Sequence, residues 1–329
     1  MTEILGKKVG ATGYGLMGFT WRPNPIPTED AIVAMKAALE SGCNLWSGAE
    51  FYGTPEYNSM TLLNAYFTKY PEDADRVVLS MKGCMDLATH ALDGSPEGVR
   101  RSMDNILKQL DGKKKVDLFS CSRRDAKTPL EVTIGVLQKE YIDTGKLGGF
   151  ALSECSAATV REAAKLTKVH IAEVELSMFS PDILNNDIAE ACGENNIPIE
   201  AYSPIGRGIL TGRFKEATDF KNNGIVSIFP RFQEDSFADN LKLTQRVEEI
   251  AKNKGCTSAQ LALAWVRAQS RRNGLPDVVP LPGATTVSRV QENATAISLT
   301  NEELAVLDDI VASFKPVGDR YPSFVPTNT

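Results

Sequence analysis

The chain has 329 residues, 42% hydrophobic and 24% charged, ordinary proportions for a globular protein. A net charge of −6 and a pI of about 5.2 argue against nucleic acid or an anionic membrane as the main partner. No apolar run reaches the roughly 18 residues that span a bilayer, and the N-terminus MTEILGKKVG lacks the layout of a signal peptide.

These features lead us to expect a soluble, cytoplasmic protein, with the nucleus as the alternative compartment. The six cysteines, at 43, 84, 121, 155, 192 and 256, form no C-x-x-C and read as reduced, mostly buried thiols. With only two histidines, His90 and His170, and no cysteine cluster beside them, the expectation is no metal site.

In chain order, Val9 to Met17 reads as a first strand interrupted by glycines. Thr28-Glu-Asp opens a helix with a hydroxyl and acids in its first turn, and Gly42 ends it. Asn44 to Trp46 is the second strand, Leu62 to Phe67 lies in a helix, and Val77 to Met81 is the third strand, ending at Lys82. Ser95-Pro-Glu starts a helix running to Leu110. Val116 to Phe119, Gly149 to Ser153, His170 to Glu175 and Ile197 to Tyr202 read as strands four to seven. Helices over 130–143, 157–166 and 183–194 separate them. Residues 204–238 lose all periodicity and read as a long functional loop, with 211–235 as a lid. Helices follow at 241–252 and 258–268, the eighth strand at Val278 to Leu281, and helices at 287–296 and 302–314. From Pro316 the chain reads as a tail. Apolar strands alternating with helices predict one α/β domain over 1–329, a (β/α)8 TIM barrel with extra helices and a long loop after strand 7. An open doubly wound sheet is the alternative.

Gly13-Tyr-Gly-Leu-Met-Gly18 spells a dinucleotide fingerprint. Pro23, Pro25 and Pro27 follow where that motif needs a helix, so these glycines are expected to let the strand end pass close to a ligand. In a barrel, function gathers at the C-terminal ends of the strands. There stand Ser47, Lys82, Ser122, Ser153, Glu173 and Tyr202, with Tyr52 just beyond Ser47. A lysine within a few Å of a phenol favours the phenolate, which suits proton exchange with a carbonyl oxygen.

With GYGLMG at 13–18, NLWSGAEFYG at 44–53, LSMKG at 79–83, VDLF at 116–119, AYSPIGRGILTGRF from Ala201 and PLPGATTVSRVQEN at 280–293, the chain resembles the aldo-keto reductases. The resemblance implies NADPH/NADP+ as cofactor and a small-molecule aldehyde as substrate; the expected state is a monomer or weak homo-oligomer. Of the family's Asp, Tyr, Lys and His, Tyr52 and Lys82 match, whereas the aspartate position holds Ser47 and the histidine position Ser122. These departures, with the terminal VGDRY, look like the fungal pyridoxal reductases. They imply that Lys82 is less firmly fixed, or is held by another acid such as Glu50.

The resemblance also implies a cofactor site. Ser153 and Glu173 would meet the nicotinamide carboxamide, and Tyr202 would stack on the ring. Ser203, Pro204, Ile205, Gly206, Gly208 and Leu210 would wrap the pyrophosphate. Gly283, Thr285, Arg289, Glu292 and Asn293 would hold the adenosine end, with Arg289 on a 2′-phosphate. Trp21 and Phe51 offer aromatic faces to a planar substrate, and His90 could reach the pocket. The expected reaction is reduction of pyridoxal. A broad aldehyde or ketone reductase is the first alternative, and an NADP(H)-sensing auxiliary subunit with little turnover the second.

Overall fold

The computed structural model describes residues 2–220 and 224–329. A small antiparallel hairpin, β1 (Glu3–Ile4) and β2 (Lys7–Lys8), opens the chain, turned by Leu5 and Gly6 at positive φ. Then come β3 (Tyr14–Gly15), α1 (Met17–Thr20), α2 (Thr28–Glu40), β4 (Leu45–Ala49), α3 (Ser59–Lys69), β5 (Val78–Gly83), α4 (Pro96–Leu110), β6 (Val116–Cys121) and α5 (Leu130–Val136). They are followed by β7 (Leu147–Ser153), α6 (Ala157–Leu166), β8 (Val169–Glu175), α7 (Ile188–Glu194) and β9 (Ile199–Tyr202). The chain ends with α8 (Glu234–Lys254), α9 (Ser258–Ala268), β10 (Val278–Leu281), α10 (Val287–Ala294) and α11 (Asn301–Ser313).

Strands β3 to β10 pair in sequence order, all parallel. The two ends of the sheet meet through a bridge between Gly15 and Gly283, and Gly13 N donates to Pro280 O at 2.9 Å. The barrel therefore closes, and the fold is the expected (β/α)8 barrel. Gly13 explains part of its motif: a Cβ there would lie 2.9 Å from Leu281 Cδ1 and 3.0 Å from Leu45 O. The absence of a side chain there lets the first strand pack against the last and against β4.

The barrel interior has two halves. Ile4, Val9, Leu45, Val78, Leu118, Ala151, Ile171 and Val279 form an apolar plug at the bottom, with the N-terminal hairpin beneath it. Two residues further along each strand, side chains point inward again. There the lining becomes Ser47, Ser80, Ser120, Ser153, Glu173 and Glu200, with Lys82 and Ser122 above, all buried. Bulky branched residues normally fill this space. Replacing them with hydroxyls and charges sacrifices apolar burial for chemistry.

Several elements differ from expectation. The helix from Leu130 continues as a π-helical turn over Leu137–Ile142. The predicted 183–194 helix is split into a 3-10 turn at Asp182–Leu184 and α7, because Asp187 adopts a left-handed φ of 67°. The aperiodic stretch after β9 is a chain of 3-10 turns, and α8 begins at Glu234, burying Ser236, Phe237 and Asn240. Of the expected lid, residues 221–223 lie outside the described residues. Lys114 is buried against Asp117 at 2.6 Å.

Candidate active site

Tyr52 sits in the turn after β4, and that turn is tightly held. Its carbonyl accepts from Thr20 Oγ1 at 2.8 Å and from Ser59 N at 3.1 Å. Gly53 follows at φ 120°, where a Cβ would lie 2.2 Å from Tyr57 O, so only glycine fits. Asn58 caps α3 with a reciprocal box to Thr61. Trp21 stacks on the Tyr52 ring at 5.2 Å, and Phe51 meets both rings edge-on at 5.1 and 5.8 Å. The expected aromatic pair and the reactive tyrosine are thus one cluster.

Lys82 ends β5 inside the barrel and is 3% exposed. Its Nζ donates to Ser47 Oγ at 2.6 Å and to Glu173 Oε2 at 2.7 Å, and Ser47 Oγ donates to the same oxygen at 2.7 Å. Nζ lies 5.5 Å from the Tyr52 ring centroid. Of the two alternatives for Lys82, the second describes the structure: another acid holds it, but that acid is Glu173 and not Glu50. Glu50 instead accepts from Ser102 Oγ and, at 2.7 Å, from Asn105 Nδ2, so it ties the turn after β4 to α4. Glu173, assigned to the carboxamide, has one oxygen committed to the lysine; its Oε1 makes no hydrogen bond among the described residues.

Electrostatics follow from this triad. Burial alone would push the Lys82 ammonium down, but the charge of Glu173, with Tyr52 and Glu200, outweighs it and holds the ammonium above its ordinary value. Burial pushes the Tyr52 phenol up; Lys82 offsets this only in part, and Glu173 adds to the rise. The phenol is therefore not brought toward neutrality, because burial outweighs the lysine's charge and Glu173 opposes that charge further. Glu200 lies beside Glu173 in register on β9, fully buried, with no hydrogen-bond partner for either oxygen among the described residues. Burial and the Glu173 charge push its carboxyl well above the usual range.

The other expected residues divide into groups. Ser122 follows β6 beside the Lys82 strand, its N donating to Gly83 O at 2.9 Å, and its buried Oγ has no partner among the described residues. Ser153 ends β7, buried. After β9, Ser203, Gly206, Arg207 and Gly208 all take left-handed φ values, which folds Ser203 to Leu210, through Pro204 and Ile205, into a tight coil. Successive backbone amides in such a coil make an anion-binding concavity. Gly283 and Arg289 are exposed, Thr285 and Glu292 half-buried and Asn293 buried, all in or just before α10, whose N-terminus carries no side-chain cap. His90 does not join the site. It is exposed on a small excursion pinned by the Met85–Leu92 bridge and makes no side-chain hydrogen bond among the described residues. His170, near the start of β8, packs with Nδ1 3.4 Å from Phe150 O.

Two features escaped the sequence. The first is cationic: burial lowers the Arg213 guanidinium, and the charges of Arg289 and Arg22 lower it further. None of these three side chains is paired with a carboxylate among the described residues. The second is the segment read as a tail, which is strapped across the ends of β7 to β9. Arg320 pairs with Glu154 and, at 2.9 Å, with Glu175. Tyr202 OH donates to Glu154 Oε2 at 2.6 Å and lies 2.8 Å from Tyr321 OH. Ser156 N donates to Thr329 O, Thr329 N to Glu154 O, and Arg123 Nε to Pro326 O. The strap thereby fixes the plane of Tyr202.

A closed barrel with a tyrosine, a charged lysine and an aromatic wall at its C-terminal mouth defines a carbonyl oxidoreductase class of site. Residues 11–312 match the Aldo/keto reductase family, and the chain belongs to it. It is 40% identical over 98% of its length, and 97% of the relative's, to a Schizosaccharomyces pombe protein bearing the provisional name of a pyridoxal reductase. A Saccharomyces cerevisiae protein with a similar provisional name is 35% identical over 94% of this chain and 95% of its own. An S. pombe aldo-keto reductase named for NADP(+) is 32% identical over 97% and 94%. Among solved structures, a glycerol dehydrogenase from Gluconobacter oxydans shares the fold with a TM-score of 0.81 at 23% identity, covering 99% of this chain and 98% of that one.

Proposed function

We propose that this chain is an NADPH-dependent aldehyde reductase and that pyridoxal is its substrate. The observation that carries the reading is the buried, fully charged Lys82 beneath Tyr52, kept in place although the family's aspartate is absent. The residues present suit the nucleotide. Ser122 Oγ and Glu173 Oε1 have no hydrogen-bond partner among the described residues, the coil after Tyr202 presents backbone amides, and Arg213 feels the charges of Arg22 and Arg289, none of the three paired with a carboxylate among the described residues. Arg289, with Arg213, would hold a 2′-phosphate. When bound, the nicotinamide supplies the hydride.

The chain's own residues supply the rest. Tyr52 OH gives its proton to the substrate oxygen, and Lys82 stabilises the phenolate left behind. Ser122 Oγ stands where the family has histidine and offers a hydroxyl donor to the same oxygen. Trp21 and Phe51 provide a wall for a planar ring. The provisional names of the yeast relatives favour pyridoxal among aldehydes. The test is a panel of aldehydes and ketones with NADPH and NADH. We expect the highest kcat/KM for pyridoxal with NADPH. A better substrate of another class would overturn the pyridoxal assignment, and tight NADPH binding without turnover of any carbonyl would overturn the enzyme reading.

A further inference from the structure

We infer that Glu173, on the far side of the barrel, is the positioning carboxylate for Lys82, standing in for the acid the family places at position 47. The inference rests on the reductase reading for its kinetic consequences, but its structural basis is independent of it.

Position 47 is on β4 and position 173 on β8, four strands apart in a ring of eight. Both side chains point into the lumen at the level just below Lys82. An acid can therefore reach the ammonium from either direction, provided the lumen is narrow and the opposing residue is small. Ser47 is small, and its hydroxyl completes the ring of three short hydrogen bonds instead of competing for the space. The charge balance points the same way. Lys82 and Glu173 are both nearly fully buried, and a buried ammonium without a counter-ion would lose its proton. The other acids nearby cannot serve. Glu50 is engaged by Ser102 and Asn105, and Glu200 makes no hydrogen bond to any described group. One carboxylate thus sets both the position and the charge of the lysine that faces Tyr52.

The inference predicts reciprocity: moving the acid from β8 back to β4 should restore function. Four proteins decide it: wild type, Glu173→Gln, Ser47→Asp/Glu173→Gln, and Glu173→Asp, which keeps the charge and guards against a merely unfolded Gln variant. Two readouts are taken. The first is steady-state pyridoxal reduction with NADPH as a function of pH. The second, on the nucleotide-free protein, is the 15N resonance of the Lys82 ammonium, assigned by its loss in Lys82→Met.

In Glu173→Gln we expect kcat to fall at least about 100-fold with a smaller change in KM, and the ammonium to lose its proton at lower pH than in wild type. Ser47→Asp/Glu173→Gln should recover kcat to within about 10-fold and return the resonance to its wild-type titration. A Glu173→Gln protein with wild-type kcat and an unshifted Lys82 resonance would overturn the inference. So would a double variant that folds but recovers neither. If wild type reduces no aldehyde, the reductase reading fails, and the resonance arm still decides whether Glu173 holds the lysine.

Discussion

Lys82 keeps its charge in the barrel because Glu173 and Ser47 meet it with hydrogen bonds of 2.6–2.7 Å. Removing one partner from such a pair typically costs about 3–5 kcal/mol, because the other charge is left buried and unpaired. Burial, with the Glu173 charge added, keeps Tyr52 protonated, so the reductive rate should show no loss from Tyr52 ionisation below about pH 9, measured as kcat/KM against pH. Glu200 gives a separate pH signal. Its folded-state pKa is raised above an unfolded value of about 4.3, so its stabilising contribution is present below that value and is lost as pH rises through the folded one. Glu200→Gln should therefore gain Tm relative to wild type as pH rises from about 5 to about 8; a constant difference would contradict this assignment. Tyr52 and Lys82 were legible in sequence because each lies at or just past the end of its own strand. Their acid was not, because its identity depends on which residues face each other across a closed ring. Glu50, only two residues from Tyr52, was the nearer candidate by chain distance and proved to face α4.

At the scale of elements, alternating apolar strands and capped helices located all eight barrel strands and most of the helices. The N-terminal hairpin was missed because two-residue strands carry no period. The break before α7 was missed because the Asn185-Asn186-Asp187 run interrupts an otherwise helical pattern, and Asp187 adopts the left-handed region there. The C-terminal segment looked like a tail because it has no secondary structure of its own. Its order comes from side chains, chiefly Arg320 between Glu154 and Glu175. Arg320→Ala leaves two buried carboxylates, Glu175 keeping only Arg207 at 3.0 Å, and should cost about 3 kcal/mol, read by denaturant unfolding. It should also free Tyr202 from its fixed plane and raise KM for the nucleotide. Wild-type stability in this variant would show the strap to be incidental.

For the molecule as a whole, closure through Gly13, Gly15 and Gly283 places three distant stretches at one mouth: the aromatic turn, the coil after β9, and α10. Arg22 follows α1, Arg213 follows the coil after β9 and Arg289 lies in α10, far apart in sequence, which is why only Arg289 was suspected from its motif. Charged hydrogen bonds to phosphate are worth about 1.5–3 kcal/mol, so Arg213→Ala should weaken NADPH binding about 10- to 100-fold while leaving NADH nearly unchanged, by fluorescence titration. Equal losses for both nucleotides would place Arg213 away from the 2′-phosphate. The central claim is that Tyr52 supplies the proton in carbonyl reduction, and it is tested most directly by steady-state pyridoxal reduction in Tyr52→Phe. We predict a fall in kcat of at least about 100-fold with NADPH affinity retained; near wild-type turnover would contradict the account.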